Sequence, residues 1–272
     1  MQNHRKTRMS PEALIIAAGR GVRFGTDSDT RPKPLIKVAG VPLISRVLRT
    51  CRKAGIGKCT VVTGYRGGLL ESFLARETEW RIRCLRNKEW RRANGVSVLR
   101  ARGEVRAPFL LLMSDHLFDP RIVVKLTARP LPRGCCRLAV DFRPEKVFDI
   151  DDATKVEVRD GKIAAIGKEI ANYKGVDTGI FFCTASLFTA LEEDRRNGRE
   201  SLSDGIRELA RRGRMEAADI GDLFWQDVDD PSALREAERK ISKVPPSGYP
   251  EEPEGKAVRQ VQANPGNGRK AP

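Results

Sequence analysis

The stretch LIIAAGRGVRFG, Leu14–Gly25, decides the fold. A short apolar run ends in a loop that holds three glycines, two arginines and no acidic residue. A run of this length, with no polar alternation, reads as a strand buried on both faces. Glycines let the backbone approach a phosphate chain, the loop amides form an anion nest, and Arg23 adds a forked donor. Two familiar phosphate loops fail on spacing. The dinucleotide fingerprint GxGxxG opens a helix, whereas Gly19, Gly21 and Gly25 give GxGxxxG and the following TDSDTRPKP reads as loop. The P-loop needs a lysine straight after its last glycine, and none follows Gly25. What remains is a strand, an anion nest and Lys33 of PKPL shortly beyond it, against the plainer alternative of a turn-rich connection.

Outward from this loop, short apolar strands alternate with helices. Pro42–Ala54 has helical spacing, KCTVVTG is a strand and GLLESFLA a helix. RIRCLRN and PFLLLMSD are further strands, with a helical stretch near Ser97–Arg102 between them. This alternation predicts an α/β, Rossmann-like, mostly parallel sheet with helices on both faces. In such sheets ligands bind beyond the carboxyl ends of the strands, where both the glycine loop and SDH, Ser114–His116, fall. After Arg133 the strands CCRLAVDF, TKVEVRDGKIAAIGK and GVDTGIFFC, with the turn RDGK at 159–162, predict a small antiparallel lid or insertion at about 134–183. Helices are expected again over Ala185–Glu193, Leu202–Arg212 and after Pro231. The expected organisation is a basic extension over 1–10, one domain over 11–244 and a disordered Pro- and Gly-rich tail over 245–272.

The 272 residues are 40% hydrophobic, enough for one large core, and carry a formal net charge of +15. That charge favours anionic partners such as nucleotides, sugar phosphates, nucleic acid or an acidic membrane, without choosing among them. Six cysteines without CxxC or zinc spacing read as reduced thiols in a cytoplasmic protein, a vicinal redox pair at Cys135 and Cys136 being the alternative. No apolar run approaches a membrane span, and no apolar signal region follows the basic N-terminus.

The combination LIIAAGRGVRFG…RPKPL resembles the signature AGxGxR(F/L)…PKxL of the nucleotidyltransferases that activate sugar and alcohol phosphates, a MobA-like NTP transferase family with the nucleotide-diphospho-sugar transferase fold. The resemblance implies that Ala17, Ala18, Gly19 and Gly21 line the nucleotide, that Arg23 meets the triphosphate, and that Lys33 bridges nucleotide and acceptor phosphate. Asp115, directly after a buried strand, reads by itself as a helix N-cap or a metal ligand; the resemblance makes it a ligand of Mg2+. In LFWQDVDDPSAL, strand alternation puts Asp227 and Asp229 on one face, opposite Val228. Similarity to the family's WxDVDTP makes Asp229 the second metal ligand and leaves Asp230 to cap the last helix. His116 is either a ligand contact or a structural neighbour of Asp115.

NKEWRRANGVSVL is similar to the NPxWxxxNGxSL element of the cytidylyltransferases, which implies nucleoside contacts from Asn94, Gly95 and Ser97. DIDDATKVEVRDGKIAAIGKEIANYKGVDTGIF is similar to the CTP:inositol-1-phosphate cytidylyltransferases, whose ATKV, IGK and DTGIF recur. By that resemblance Asp177 and Thr178 offer hydrogen bonds to a polyol, and Lys168 grips the acceptor phosphate unless it is a solvated hairpin end. The implied reaction joins CTP and inositol-1-phosphate, giving CDP-inositol and pyrophosphate. Rivals are a sugar-1-phosphate or phosphocholine acceptor, another nucleotide, or a non-catalytic nucleotide sensor or RNA-binding protein; no RNA-stacking motif is present. In some members of the family it resembles, this domain is fused to a membrane-embedded transferase that uses CDP-inositol; for this sequence the expected downstream partner is a separate membrane CDP-alcohol phosphotransferase.

Overall fold

The computed structural model describes residues 11–25, 30–77 and 81–242. The expected N-terminal extension, the expected tail and residues 26–29 of the long loop lie outside the described residues. The strands in chain order are β1 (Glu12–Ala17), β2 (Lys37–Val38), β3 (Val41–Pro42), β4 (Lys58–Thr63), β5 (Arg81–Arg86), β6 (Phe109–Met113) and β7 (His116–Phe118). They continue with β8 (Cys136–Asp141), β9 (Lys155–Arg159), β10 (Lys162–Gly167), β11 (Gly175–Cys183), β12 (Met215–Asp219) and β13 (Trp225–Asp227). The helices are α1 (Leu43–Lys53), α2 (Gly67–Leu74), α3 (Asn94–Leu99), α4 (Pro120–Thr127), α5 (Ser186–Arg196), α6 (Leu202–Arg211) and α7 (Pro231–Ile241).

One nine-stranded sheet runs in the order β5-β4-β1-β6-β11-β8-β12-β10-β9. Its first four strands are parallel, β1 lying between β4 and β6. Every residue of β1 is buried, as its apolar run requires. Alternation sends Leu14 and Ile16 to one face and Ala13, Ile15 and Ala17 to the other, each meeting a separate apolar cluster. Leu187, Leu191, Ile206 and Leu209 of α5 and α6 cover the first face. Ile44, Val47 and Leu48 of α1, Leu70 of α2 and Ile122 of α4 cover the second.

The hairpin β9–β10 forms at the expected turn, with Arg159 paired to Lys162 and positive φ at Asp160 and Gly161. The strands of segment 134–183, this hairpin included, all belong to the nine-stranded sheet. β8 is buried at all six positions, so it needs cover on both faces and sits in the sheet interior, antiparallel to β11 and parallel to β12. β11 in turn runs antiparallel to β6, which joins the two halves of the sheet.

A third cluster lies beyond the strand ends: Phe24, Ile36, Val38, Leu43, Leu117, Val228 and Ala237. It gathers the glycine loop, β7, the end of β13 and α7 around one apolar centre. All six cysteines are free thiols; Cys51, Cys59, Cys136 and Cys183 are buried. Among the described residues no helix is long and apolar enough to cross a membrane.

Asp230 caps α7, its Oδ1 accepting from the N–H groups of Ser232 (2.7 Å) and Ala233 (2.8 Å). Asp230→Ala should lower stability by about 1 kcal/mol in chemical denaturation, the usual cost of a lost N-cap. Unchanged stability would remove the cap from the account.

Candidate active site

Arg23, His116, Asp227 and Asp229 are each next in sequence to a buried apolar anchor. Arg23 precedes Phe24, which is 5% exposed, while Val22 on its other side is 66% exposed. His116 precedes Leu117, and Val228 separates Asp227 from Asp229; both Leu117 and Val228 are buried in the third cluster. Burying the anchor fixes the backbone and turns the polar neighbour outward.

β7 and β13 pair antiparallel with His116 opposite Asp227, and the Val228 N–H donates to the Asp115 carbonyl at 3.0 Å. This short ladder brings two carboxylates from distant parts of the chain to one place. Lys33, only 8% exposed at the start of a 3-10 turn, lies between them; its Nζ donates to Asp115 Oδ2 and to Asp229 Oδ1. Burial disfavours the Lys33 charge, but Asp115 and Asp229 outweigh it and hold its pKa above the ordinary lysine value. Asp115 is the mirror case: burial pushes it up, and Lys33 with His116 brings it below the usual carboxylate range. Gly21 packs on the Lys33 stem at φ +71°, where a Cβ would stand 2.7 Å from Lys33 Cβ.

The glycine loop lies above this pair. Arg23 donates from Nη1 to Asp152 Oδ2 (2.7 Å) and to Asp229 Oδ2 (3.3 Å). The hydrogen bond that Arg23 donates to Asp152, with the nearby carboxylates, outweighs partial burial and raises the Arg23 pKa. No side chain approaches the Cβ direction of Gly19, so that part of the loop is open. Ala17 and Ala18 are buried, and the Ala18 carbonyl accepts from the Tyr65 N–H at 2.9 Å.

A cavity of about 280 Å3 opens here, lined by Arg23, Asn94, Asp115, His116, Asp152, Lys168, Asp177, Asp227 and Asp229, with Phe148 and Trp225 among the aromatics. Eight of the residues singled out in the sequence thus meet: Arg23, Asn94, Asp115, His116, Lys168, Asp177, Asp227 and Asp229. Thr178 does not join them; it is fully buried and its hydroxyl donates to the Ala139 carbonyl at 2.8 Å. As adjacent residues of β11, Asp177 and Thr178 face opposite ways. Ser97 is also turned inward, accepting from Asn87 Nδ2 at 3.0 Å. Gly95 packs against the 200–201 backbone, where a Cβ would lie 2.4 Å from the Glu200 carbonyl oxygen. Asn94 lines the cavity and also accepts from the Leu202 N–H at 2.8 Å.

The structure adds Asp152, which bonds to both Arg23 and Lys168. It stands in the acidic run DIDD, where sequence offers no means of choosing one carboxylate over its neighbours. His116 is held by its Nδ1 on the Thr178 carbonyl at 2.7 Å, and Gly179 at φ +71° leaves room for the ring. Burial opposes its charge, but Asp115 and Asp227 prevail and raise its pKa.

Among the described residues, no three side chains form a ready-made metal cage. Two carboxylates do converge on one cation, Lys33 Nζ, and five aspartates line the cavity against Arg23 and Lys168. An excess of carboxylate oxygens suits a hard divalent ion such as Mg2+, which takes one or two carboxylates and completes its shell with phosphate and water.

Fold and site define a nucleotidyltransferase. The chain belongs to the MobA-like NTP transferase domain family, whose description it matches over residues 13–209. It is 35% identical over 231 residues to the bifunctional IPC transferase and DIPP synthase of Rubrobacter xylanophilus, covering 84% of this chain and 51% of that protein. The protein of the same description from Thermococcus kodakarensis is 34% identical over 244 residues, covering 88% of this chain and 53% of that one. The chain therefore spans about half the length of these curated relatives. Among solved structures, the inositol-1-phosphate CTP transferase from T. maritima superposes with a TM-score of 0.74 at 26% identity, covering 85% of this chain and 96% of that one.

Asp177 carries a further consequence. Burial lifts its pKa to about 6, against the Gly179 N–H that it accepts at 2.7 Å and the nearby His116. The folded protein thus holds this proton more tightly than the unfolded chain does. The associated stability is complete below the ordinary aspartate pKa of 3.8 and is lost as pH rises through about 6. Asp177→Asn keeps the acceptor for Gly179 and should raise stability by about 3 kcal/mol at pH 8, the gain shrinking toward zero near pH 4. A pH-independent difference in denaturation midpoint would contradict this.

Proposed function

We propose that this chain is an Mg2+-dependent cytidylyltransferase that joins CTP and inositol-1-phosphate to give CDP-inositol and pyrophosphate. The observation that carries the reading is the convergence of Lys33, Asp115 and Asp229 beneath a cavity that also holds Arg23 and Lys168. The inositol assignment draws its support from the relatives, whose similarity spans most of this chain.

A phosphate monoester is largely ionised near neutrality, its second pKa being about 6. Its oxygen can attack the α-phosphorus of CTP without a protein base. The new P–O bond forms as the bond to the β-phosphate oxygen breaks and pyrophosphate leaves in line. Arg23 takes the triphosphate oxygens with its forked donors, and Lys168 takes the acceptor phosphate. Lys33, kept charged by its two carboxylates, offsets charge where the two phosphates meet. A magnesium ion held by Asp115 and Asp229 would supply further charge neutralisation when bound. Gly19 gives the nucleotide an open stretch of backbone; Asn94 serves the nucleoside side, and Asp177 the acceptor hydroxyls. Gly95, Ser97 and Thr178 support these residues from behind.

A second reading has its own observation. Phe148 and Trp225 line the cavity together with Asp177 and Asp227, a lining that also suits an acceptor phosphate carrying an ammonium group, such as phosphocholine.

Pyrophosphate release, measured for CTP, UTP, dTTP, GTP and ATP against inositol-1-phosphate, hexose-1-phosphates and phosphocholine, separates these readings. Turnover should be highest with CTP and inositol-1-phosphate; turnover confined to another acceptor would replace the assignment. Lys33→Ala should lower kcat by about 10²–10³-fold, as loss of a transition-state charge contact does. A change limited to the KM for CTP would remove Lys33 from the reacting centre.

A further inference from the structure

Asp152 is joined to two cations that come from different parts of the fold. Its Oδ2 accepts from Arg23 of the glycine loop at 2.7 Å, and its Oδ1 accepts from Nζ of Lys168, just past β10. All three side chains line the one cavity. None is locked in place by burial: Arg23 and Lys168 are each 48% exposed and Asp152 is 37% exposed. The neighbouring backbone is braced instead, Lys155 Nζ donating to the Asp151 and Lys168 carbonyls at 3.4 and 2.9 Å. Turning the Asp152 side chain releases Lys168 and leaves Arg23 with only its longer contact to Asp229 at 3.3 Å.

Resting on the reading of Arg23 as the triphosphate ligand and Lys168 as the acceptor-phosphate ligand, we propose that Asp152 is a positioning residue that competes with both substrates for these cations and couples their binding. In the ligand-free site it keeps the two cations aimed into the cavity and their charge balanced. An arriving phosphate takes one cation and repels the carboxylate, which swings out and frees the other. Ion pairs this exposed are weak, so a triphosphate can displace them. The first ligand bears the cost of displacement and the second meets a cation already free, which is positive coupling between two sites through one two-state side chain. The triphosphate carries more charge than the acceptor phosphate, so it is the ligand that binds first.

The test is titration calorimetry with Mg2+ and the non-hydrolysable α,β-methylene analogue of CTP, with and without inositol-1-phosphate, on the wild type, Asp152→Asn and Asp152→Glu. In the wild type, the analogue should tighten inositol-1-phosphate binding several-fold. Asp152→Asn should bind the analogue alone about three- to tenfold more tightly, the size of one or two exposed ion pairs, and its coupling factor should fall toward one. Asp152→Glu, which restores the carboxylate, should return both values toward the wild type. A coupling factor unchanged in Asp152→Asn, or weaker analogue binding there, overturns the role of Asp152 while leaving the nucleotide site intact. A wild-type protein that binds no analogue overturns the reading of the site itself, and the coupling with it.

Discussion

Asp115 and Asp229 face one another because β7 and β13 pair in one register, and two facing carboxylates need a cation between them. Lys33 supplies it. Each element of the site answers to this constraint. The 3-10 turn at Lys33–Leu35 brings the ammonium inward, Gly21 clears space for the lysine stem, and the third apolar cluster holds the four contributing segments together. Without the lysine, two buried or half-buried negative charges would share one site, a costly arrangement in a low-dielectric setting. The lysine is therefore part of the structure as well as part of the proposed chemistry.

The protein carries a net charge of +15, yet its candidate active site is rich in carboxylates. The basic charge belongs mainly to the outer surface, where many arginines pair with neighbouring glutamates, as Arg92 does with Glu89 and Glu200. A cavity meant to hold a triphosphate and a second phosphate is thus poised by internal ion pairs. Arg23, Lys33 and Lys168 are each matched to aspartate before any ligand enters. Such matching keeps the cations oriented and leaves room for a divalent ion, at the cost of competition with the substrates.

The parts legible in the sequence are those set by local spacing. The strand and glycine loop at Leu14–Gly25, the hairpin at Arg159–Lys162 and the α7 cap at Asp230 all depend on contiguous residues, and each lies where the pattern puts it. Alternation likewise places Asp227 and Asp229 on the cavity side with Val228 in the core. Non-local choices were beyond reach. Nothing in the sequence makes β8 a central strand of the sheet and not part of a lid. Nothing in DIDD marks Asp152 as the carboxylate between Arg23 and Lys168. Thr178 and Ser97 illustrate the converse: motif similarity assigns them to the site, while the strand pleat and the bond from Asn87 turn their hydroxyls toward the protein.

The central claim is that Asp115 and Asp229 form one cation site, shared between Lys33 and a divalent ion that enters with the nucleotide. Electron paramagnetic resonance with Mn2+ in place of Mg2+ tests it most directly, by counting ions bound in the presence of CTP. The account predicts one ion bound per chain, with that binding lost or strongly weakened in both Asp115→Asn and Asp229→Asn. Retention of Mn2+ at wild-type affinity in either variant would contradict it.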